Sequence, residues 1–194
     1  MKHTVAVLVQ NEFGVLARVA GLFSARGFNI DSLAVGETDD PKISRMTIVS
    51  SGNDRVLEQI MKQLAKLIDV IRVEDLKPED MIERELMLAK VKANASTRND
   101  IMQIVNTFRA KIVDVSQDTL TIEVTGGESK VDAMLELLQP FKLLEVVRTG
   151  TIAMSRRSYM KVSETVTVEP KQPESVTQAA APKKTKSKTK AVSK

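Results

Sequence analysis

The sequence predicts an α+β fold built from two modules of one pattern, strand–helix–strand–strand–helix–strand. This is the ferredoxin-like βαββαβ arrangement. Three observations predict it. Four segments space their apolar residues with helical periodicity and are separated by short Val- and Ile-rich runs. The order of these elements in residues 3–76 recurs in residues 84–160. After about Ser163 the periodicity stops, and the remainder is rich in Pro, Ala, Thr, Ser and Lys.

The first strand is His3 to Gln10, a short, mostly apolar and Val-rich run that reads as a buried strand. Asn11-Glu12-Phe13-Gly14 is a turn. From Val15 the apolar positions Val15, Leu16, Val19, Ala20, Leu22 and Phe23 define a helix, and Gly27 stops it because glycine tolerates positive φ. Strands over Ile30–Gly36 and Ile43–Ser50 flank a turn at Asp39-Asp40-Pro41. Asn53 or Asp54 caps a second helix whose apolar face is Val56, Leu57, Ile60, Met61, Leu64 and Leu67. Val70 to Val73 is the fourth strand.

Residues 77–83 read as a polar linker around the helix-hostile Pro78. The second module follows with a strand over Arg84–Ala93 and a helix over Thr97–Phe108. Strands over Ile112–Val115 and Leu120–Thr125, a helix over Val131–Leu138 and a last strand over Leu143–Met154 complete it. Each module is near the low end for an independent core, so mutual packing or pairing with a second copy is expected. Residues 164–194 carry too little apolar surface to offset ordering entropy and read as a disordered Lys-rich tail.

Composition excludes several chemistries. The 194 residues contain no cysteine and a single histidine, His3, which lies in the first strand. Disulfides, thiolate metal sites and a cysteine nucleophile are absent, and a histidine-based metal centre or Ser-His-Asp triad has almost nothing to draw on. The net charge of +4 resides in the tail. Residues 166–194 hold seven Lys against two Glu, whereas the first 165 residues hold 22 basic and 23 acidic side chains. No apolar run approaches the ~20 residues that span a bilayer, and the N-terminal apolar stretch is too short for a secretion signal, so a cytoplasmic location is expected.

The informative stretch is Asn11-Glu12-Phe13-Gly14-Val15-Leu16-Ala17-Arg18-Val19. A strand ends, the chain turns at Gly14, and a helix begins. Helix-initial N–H groups lack intrahelical partners and carry partial positive charge, so such an end suits a small carboxylate. Glycine lets a ligand approach the backbone closely. On local physics alone, Gly14 serves more simply as a turn residue.

A second stretch, Phe23-Ser24-Ala25-Arg26-Gly27-Phe28-Asn29-Ile30-Asp31-Ser32-Leu33, and a third, Ser44-Arg45-Met46-Thr47-Ile48, change that estimate. Together with the first they resemble the small regulatory subunits of acetolactate (acetohydroxyacid) synthase, over roughly residues 3–160. The resemblance implies that residues 3–76 form an ACT domain, an amino-acid-sensing module that pairs with its copy in a homodimer. The effector, most often valine or another branched-chain amino acid, binds at that interface. Carried over, the effector residues are Asn11, Gly14, Val15 and Leu16 of one copy and Asn29 and Ile30 of the other. Backbone N–H groups at Gly14 to Leu16 suit the carboxylate, and Ile30 offers apolar surface to an isopropyl group.

The resemblance also implies a partner, a large catalytic subunit that carries thiamine diphosphate, FAD and Mg and condenses two pyruvates to acetolactate. The present chain shows no motif for those groups and is expected to hold no cofactor and no metal. The matching turn of the second module, Asn94 to Asp100, has no glycine, so no second effector site is assigned there. Arg45 is either part of a solvated sheet face or a contact for the catalytic subunit. Two other readings remain. A stand-alone amino-acid sensor lacks a catalytic partner. A nucleic-acid binder of this fold would stack bases on sheet aromatics, which the strand around Arg45 does not have.

Overall fold

The computed structural model describes residues 1–157. The first module comprises β1 (Lys2–Gln10), α1 (Val15–Ala25), β2 (Ser32–Glu37), β3 (Ile43–Ser51), α2 (Asp54–Leu64) and β4 (Val70–Leu76). Its sheet has the order β2-β3-β1-β4, with every neighbouring pair antiparallel. The second module comprises β5 (Met81–Lys92), α3 (Arg98–Thr107), β6 (Lys111–Val115), β7 (Thr119–Gly126), α4 (Glu128–Leu138) and β8 (Leu143–Arg148), followed by β9 (Ile152–Ser155). Its sheet repeats the order as β6-β7-β5-β8, and β9 pairs with the start of β5. The two ferredoxin-like modules predicted from the sequence are therefore present.

Alternation along each strand builds the cores. Val5, Val7 and Val9 of β1 and Met46 and Ile48 of β3 meet Val19, Phe23, Leu57 and Ile60 of the helices. In the second module Met87, Ala89 and Val91 of β5 meet Ile101, Val105, Val131 and Met134. Each fully buried large side chain contributes about 1.5–3 kcal/mol relative to exposure. The end of α1 is a Schellman turn: Phe28 N–H donates to Phe23 O and Gly27 N–H to Ser24 O, with Gly27 at φ +67°. The Phe28 ring then packs edge-on against Phe23, centroids 6.4 Å apart. Asn53 caps α2, its side chain accepting from Val56 N–H at 3.0 Å.

Three segments differ from the sequence expectation, and one contact explains two of them. Residues 77–83 hold a short 3-10 turn at Pro78–Asp80 and then the first residues of β5, which begins three residues before Arg84. The expected last strand, Leu143–Met154, is two strands separated by Thr149-Gly150-Thr151, with Gly150 at φ +79°. In both cases the cause is the ribbon that Met81–Arg84 makes with Ile152–Ser155. This ribbon lies on the face of the first sheet opposite its helices, where Ala153 packs on Ala6 and Leu76. That contact is why β1 is buried on both faces. The third difference is at β2, which begins at Ser32, leaving Ile30 outside the strand but packed against the first core. The Lys-rich segment 164–194, and the end of the expected second module at 158–160, lie outside the described residues.

Candidate effector site

Gly14 takes up a left-handed conformation, φ +82°, in the N-cap position of α1. No side chain caps this helix, and its first turn contains no acidic residue. A Cβ placed on Gly14 would meet nothing within 4 Å, so the helix start opens onto solvent. Of the other helices, α3 and α4 likewise lack a side-chain cap bond, but none starts at a left-handed glycine. Asn53 caps α2, and α4 has Glu128 in its first turn. Before α3, the Asn94 side-chain oxygen accepts from Ser96 N–H at 3.1 Å and Thr97 N–H at 2.9 Å. The turn without a glycine in the second module is thus filled by its own side chain.

The remaining candidates divide by role. Val15 is 3% exposed and belongs to the core, contributing its backbone alone to the helix start. Leu16 is half-exposed beside it. The Asn11 side-chain amide donates to Glu37 Oε1 at 3.1 Å and to Pro41 O at 2.9 Å. It therefore ties the Gly14 turn to the end of β2 rather than projecting both donors outward. Asn29 donates to Asp31 Oδ1 at 2.6 Å, and its carbonyl accepts from the Ser50 hydroxyl at 2.6 Å. The Ser51 hydroxyl donates to Asp31 as well, and this bond above all holds the Asp31 carboxyl below its ordinary range.

The candidates do not converge within one chain. β1 and β2 are each antiparallel to β3, so they run parallel to each other. Gly14 follows the end of β1, whereas Asn29 and Ile30 precede the start of β2. The two groups stand at opposite ends of one sheet. Asn11 and Gly14 lie at the end where β2 finishes, and β2 is an outer strand of the sheet.

Arg45 corrects the expectation of a solvated face. Its side chain crosses from β3 to the ribbon, where Nη2 donates to Ala153 O at 2.8 Å. Burial lowers its pKa from the ordinary value, opposed by the nearby Glu74. Sequence reasoning missed the other links between the modules. Thr151 N–H donates to the Ser32 hydroxyl at 2.8 Å, and Lys2 pairs with Glu128. At the base of the turn between β8 and β9, Arg148 grips the buried Glu85 with two bonds of 2.9 and 2.7 Å and also holds Asp132. An arginine closing the mostly apolar stretch Leu143–Val147, broken only by Glu145, was the available signal. Phe13, fully exposed at the tip of the Gly14 turn, was passed over too. Among the described residues no cluster of three or more His, Asp or Glu side chains could hold a metal ion, and no helix is long and apolar enough to cross a membrane.

Comparison with known proteins agrees with this architecture. A family model described as "AHAS small subunit-like ACT domain" matches residues 5–72, and one described as "Small subunit of acetolactate synthase" matches residues 84–157. A probable acetolactate synthase small subunit of Methanothermobacter thermautotrophicus is 57% identical over 157 residues, covering 80% of this chain and 94% of its own. The acetolactate synthase small subunit of Aquifex aeolicus is 51% identical over 164 residues, covering 84% and 85%. The crystal structure of the acetolactate synthase small subunit from Thermotoga maritima superposes with a TM-score of 0.76 at 43% identity, covering 82% of this chain and 99% of that one. With both modules matched in order and relatives above 50% identity along most of its length, the chain belongs to the acetolactate synthase small-subunit family.

Proposed function

We propose that the chain is a regulatory subunit of acetolactate synthase in branched-chain amino-acid biosynthesis, working in the cytoplasm. It raises the activity of a large catalytic subunit and makes that activity sensitive to valine or a related amino acid. Thiamine diphosphate, FAD and Mg belong to the catalytic subunit, which carries out the condensation of pyruvate. The chain itself binds the effector, as a homodimer of its ACT domain (residues 3–76), while residues 84–160 form the second domain.

The observation that carries this reading is the uncapped, unobstructed start of α1 at Gly14, set at the opposite end of the sheet from Asn29 and Ile30. A two-fold axis beside the outer strand β2 places the start of β2 in one copy against its end in the other. Gly14 of each copy then approaches Asn29 and Ile30 of its partner, giving two equivalent sites. In each, the backbone N–H groups after Gly14 receive the effector carboxylate, supported by the positive end of the helix. Ile30 and Leu16 offer apolar surface to the side chain. Asn11 and Asn29 hold the two loops that form the walls.

The test is reconstitution of the chain with its catalytic subunit and assay of acetolactate. The expected result is higher turnover than the catalytic subunit alone, reduced by valine. A catalytic subunit indifferent to this chain contradicts the reading, and a chain that binds valine without such a partner points to a stand-alone sensor.

A further inference from the structure

We infer that the second module helps join two copies of the chain: the turn between β8 and β9 of one copy seats in a corner of the other. This rests on the reading above that copies pair beside β2.

The corner is visible in one chain. On the face of the first sheet opposite the helices, the ribbon packs on β1 and β4 but leaves the far end of β2 uncovered. The floor there is Ala34, Gly36, Arg45 and Thr47. The wall is the outward face of the ribbon, with Ile82, Ile152 and Met154. Together they bound a groove of about 420 Å³. Ile152 and Met154 are each 58% exposed and Ile82 37%, so the large apolar side chains of the wall lie open to water. Such a contiguous apolar patch marks an interaction surface. The outer strand β2, Ser32–Glu37, contains neither Pro nor Lys to discourage pairing at its unpaired edge.

The occupant follows from the two ends of β2. At its start, Ser32 accepts the N–H of Thr151 and Gly150 lies against it, so the turn Thr149-Gly150-Thr151 stands over that end. At its finish lies the empty corner. Pairing about a two-fold axis sets start against finish, which brings the partner's turn to the corner and the reverse, as a self-complementary interface requires. Charge agrees. The corner carries Arg84 and the Ala153-bound Arg45 against one acid, Glu37, and the start of β2 carries Asp31, held ionised by its hydrogen bonds. The floor is of small residues, leaving room for the partner's Gly150 and Ile152.

Because the chain contains no cysteine, introduced thiols report on this contact directly. A Cβ on Gly36 meets nothing within 4 Å, so Gly36→Cys is accommodated. A tagged full-length Gly36→Cys chain co-expressed with an untagged Ile152→Cys chain, then oxidised, is expected to give a cross-linked species with the mass of one tagged and one untagged chain. Val35→Cys alone is expected to cross-link two copies across β2. If Val35→Cys cross-links and the Gly36–Ile152 pair does not, the inference is overturned while pairing beside β2 stands. If neither does, the pairing itself is wrong. If the Gly36–Ile152 bond forms only after residues 158–194 are removed, that segment occupies the corner and the inference is again overturned. In sedimentation equilibrium, Ile152→Glu is expected to raise the dimer dissociation constant at least tenfold, and an unchanged constant contradicts the seat.

Discussion

At the scale of single residues, Gly14 and Asp31 show how one position combines conformation with charge. Gly14→Asp places a carboxylate where the effector carboxylate is proposed to sit. Two such charges repel by about 1 kcal/mol at 4 Å in water, and more strongly where water is excluded. The open space around Gly14 means the side chain fits, and the left-handed backbone costs an ordinary residue about 1–2 kcal/mol, less for Asp. Calorimetry is therefore expected to show loss of valine binding by a chain whose circular dichroism is unchanged. Asp31 makes a pH prediction. Its folded pKa is depressed, chiefly by the Ser51 hydroxyl, so its contribution to stability is complete above the unfolded value near 4 and is lost as pH falls through the folded pKa. Asp31→Asn is expected to lower the urea midpoint at pH 7 and to make little difference at pH 2. Equal losses at both would show that the carboxylate charge is not the cause. The glycine was legible in the sequence because a strand, a turn and a helix meet there. The partners of Asn11 and Asn29 were not, since each lies with a residue chosen by the turn geometry rather than by any spacing rule.

At the scale of elements, the informative case is the ribbon. Hydrophobic periodicity located all four helices and the eight strands of the two βαββαβ repeats, because each buries one regular face. It ran the final strand unbroken through Thr149 to Thr151, since a β-rich segment that changes sheets keeps its alternation while changing partner. Gly150 alone marked the break. Its φ is +79°, and a Cβ there would meet Ser32 Oγ at 2.8 Å and Leu33 O at 3.2 Å. Gly150→Val thus combines backbone strain with a clash against backbone. It is expected to cost about 1–3 kcal/mol in urea unfolding and to weaken the bond from Thr151 to Ser32. Gly36→Ala, where there is space and no positive φ, is the control expected to change stability by under about 0.5 kcal/mol. Similar losses for both would assign the effect to glycine content rather than to this turn.

At the scale of the whole molecule, the chain is two copies of one small fold that differ at matching turns. Neither initial helix start has a side-chain cap, but the first module turns through the left-handed Gly14, whereas the turn before α3 is closed on itself by the Asn94 side chain. Arg45, Ser32 and Lys2 fasten the second module to the first close to the residues proposed to meet the effector, so binding at one module has a short physical route to the other. The Lys-rich end carries the chain's excess charge and no hydrophobic periodicity. Deleting residues 170–194 is expected to leave activation and valine inhibition of the reconstituted enzyme unchanged, and loss of inhibition would make that segment regulatory. What the sequence could not convey at this scale is which surfaces meet. That depends on two ends of β2 being complementary across an axis, a relation visible only once the strands are placed.

The central claim is that each effector site is shared, with Gly14 from one copy and Asn29 and Ile30 from the other. It is tested most directly by complementation. Chains carrying Gly14→Asp, and chains carrying Asn29→Ala with Ile30→Ala, are each expected to lose valine binding as homodimers while keeping their fold. In a mixed dimer, both damaged halves fall in one site and the other site is wholly native. Calorimetry on the isolated mixed dimer is expected to recover one valine per dimer at the native affinity. A mixed dimer as inert as its parents would contradict the account, because it would place all the effector residues within a single chain.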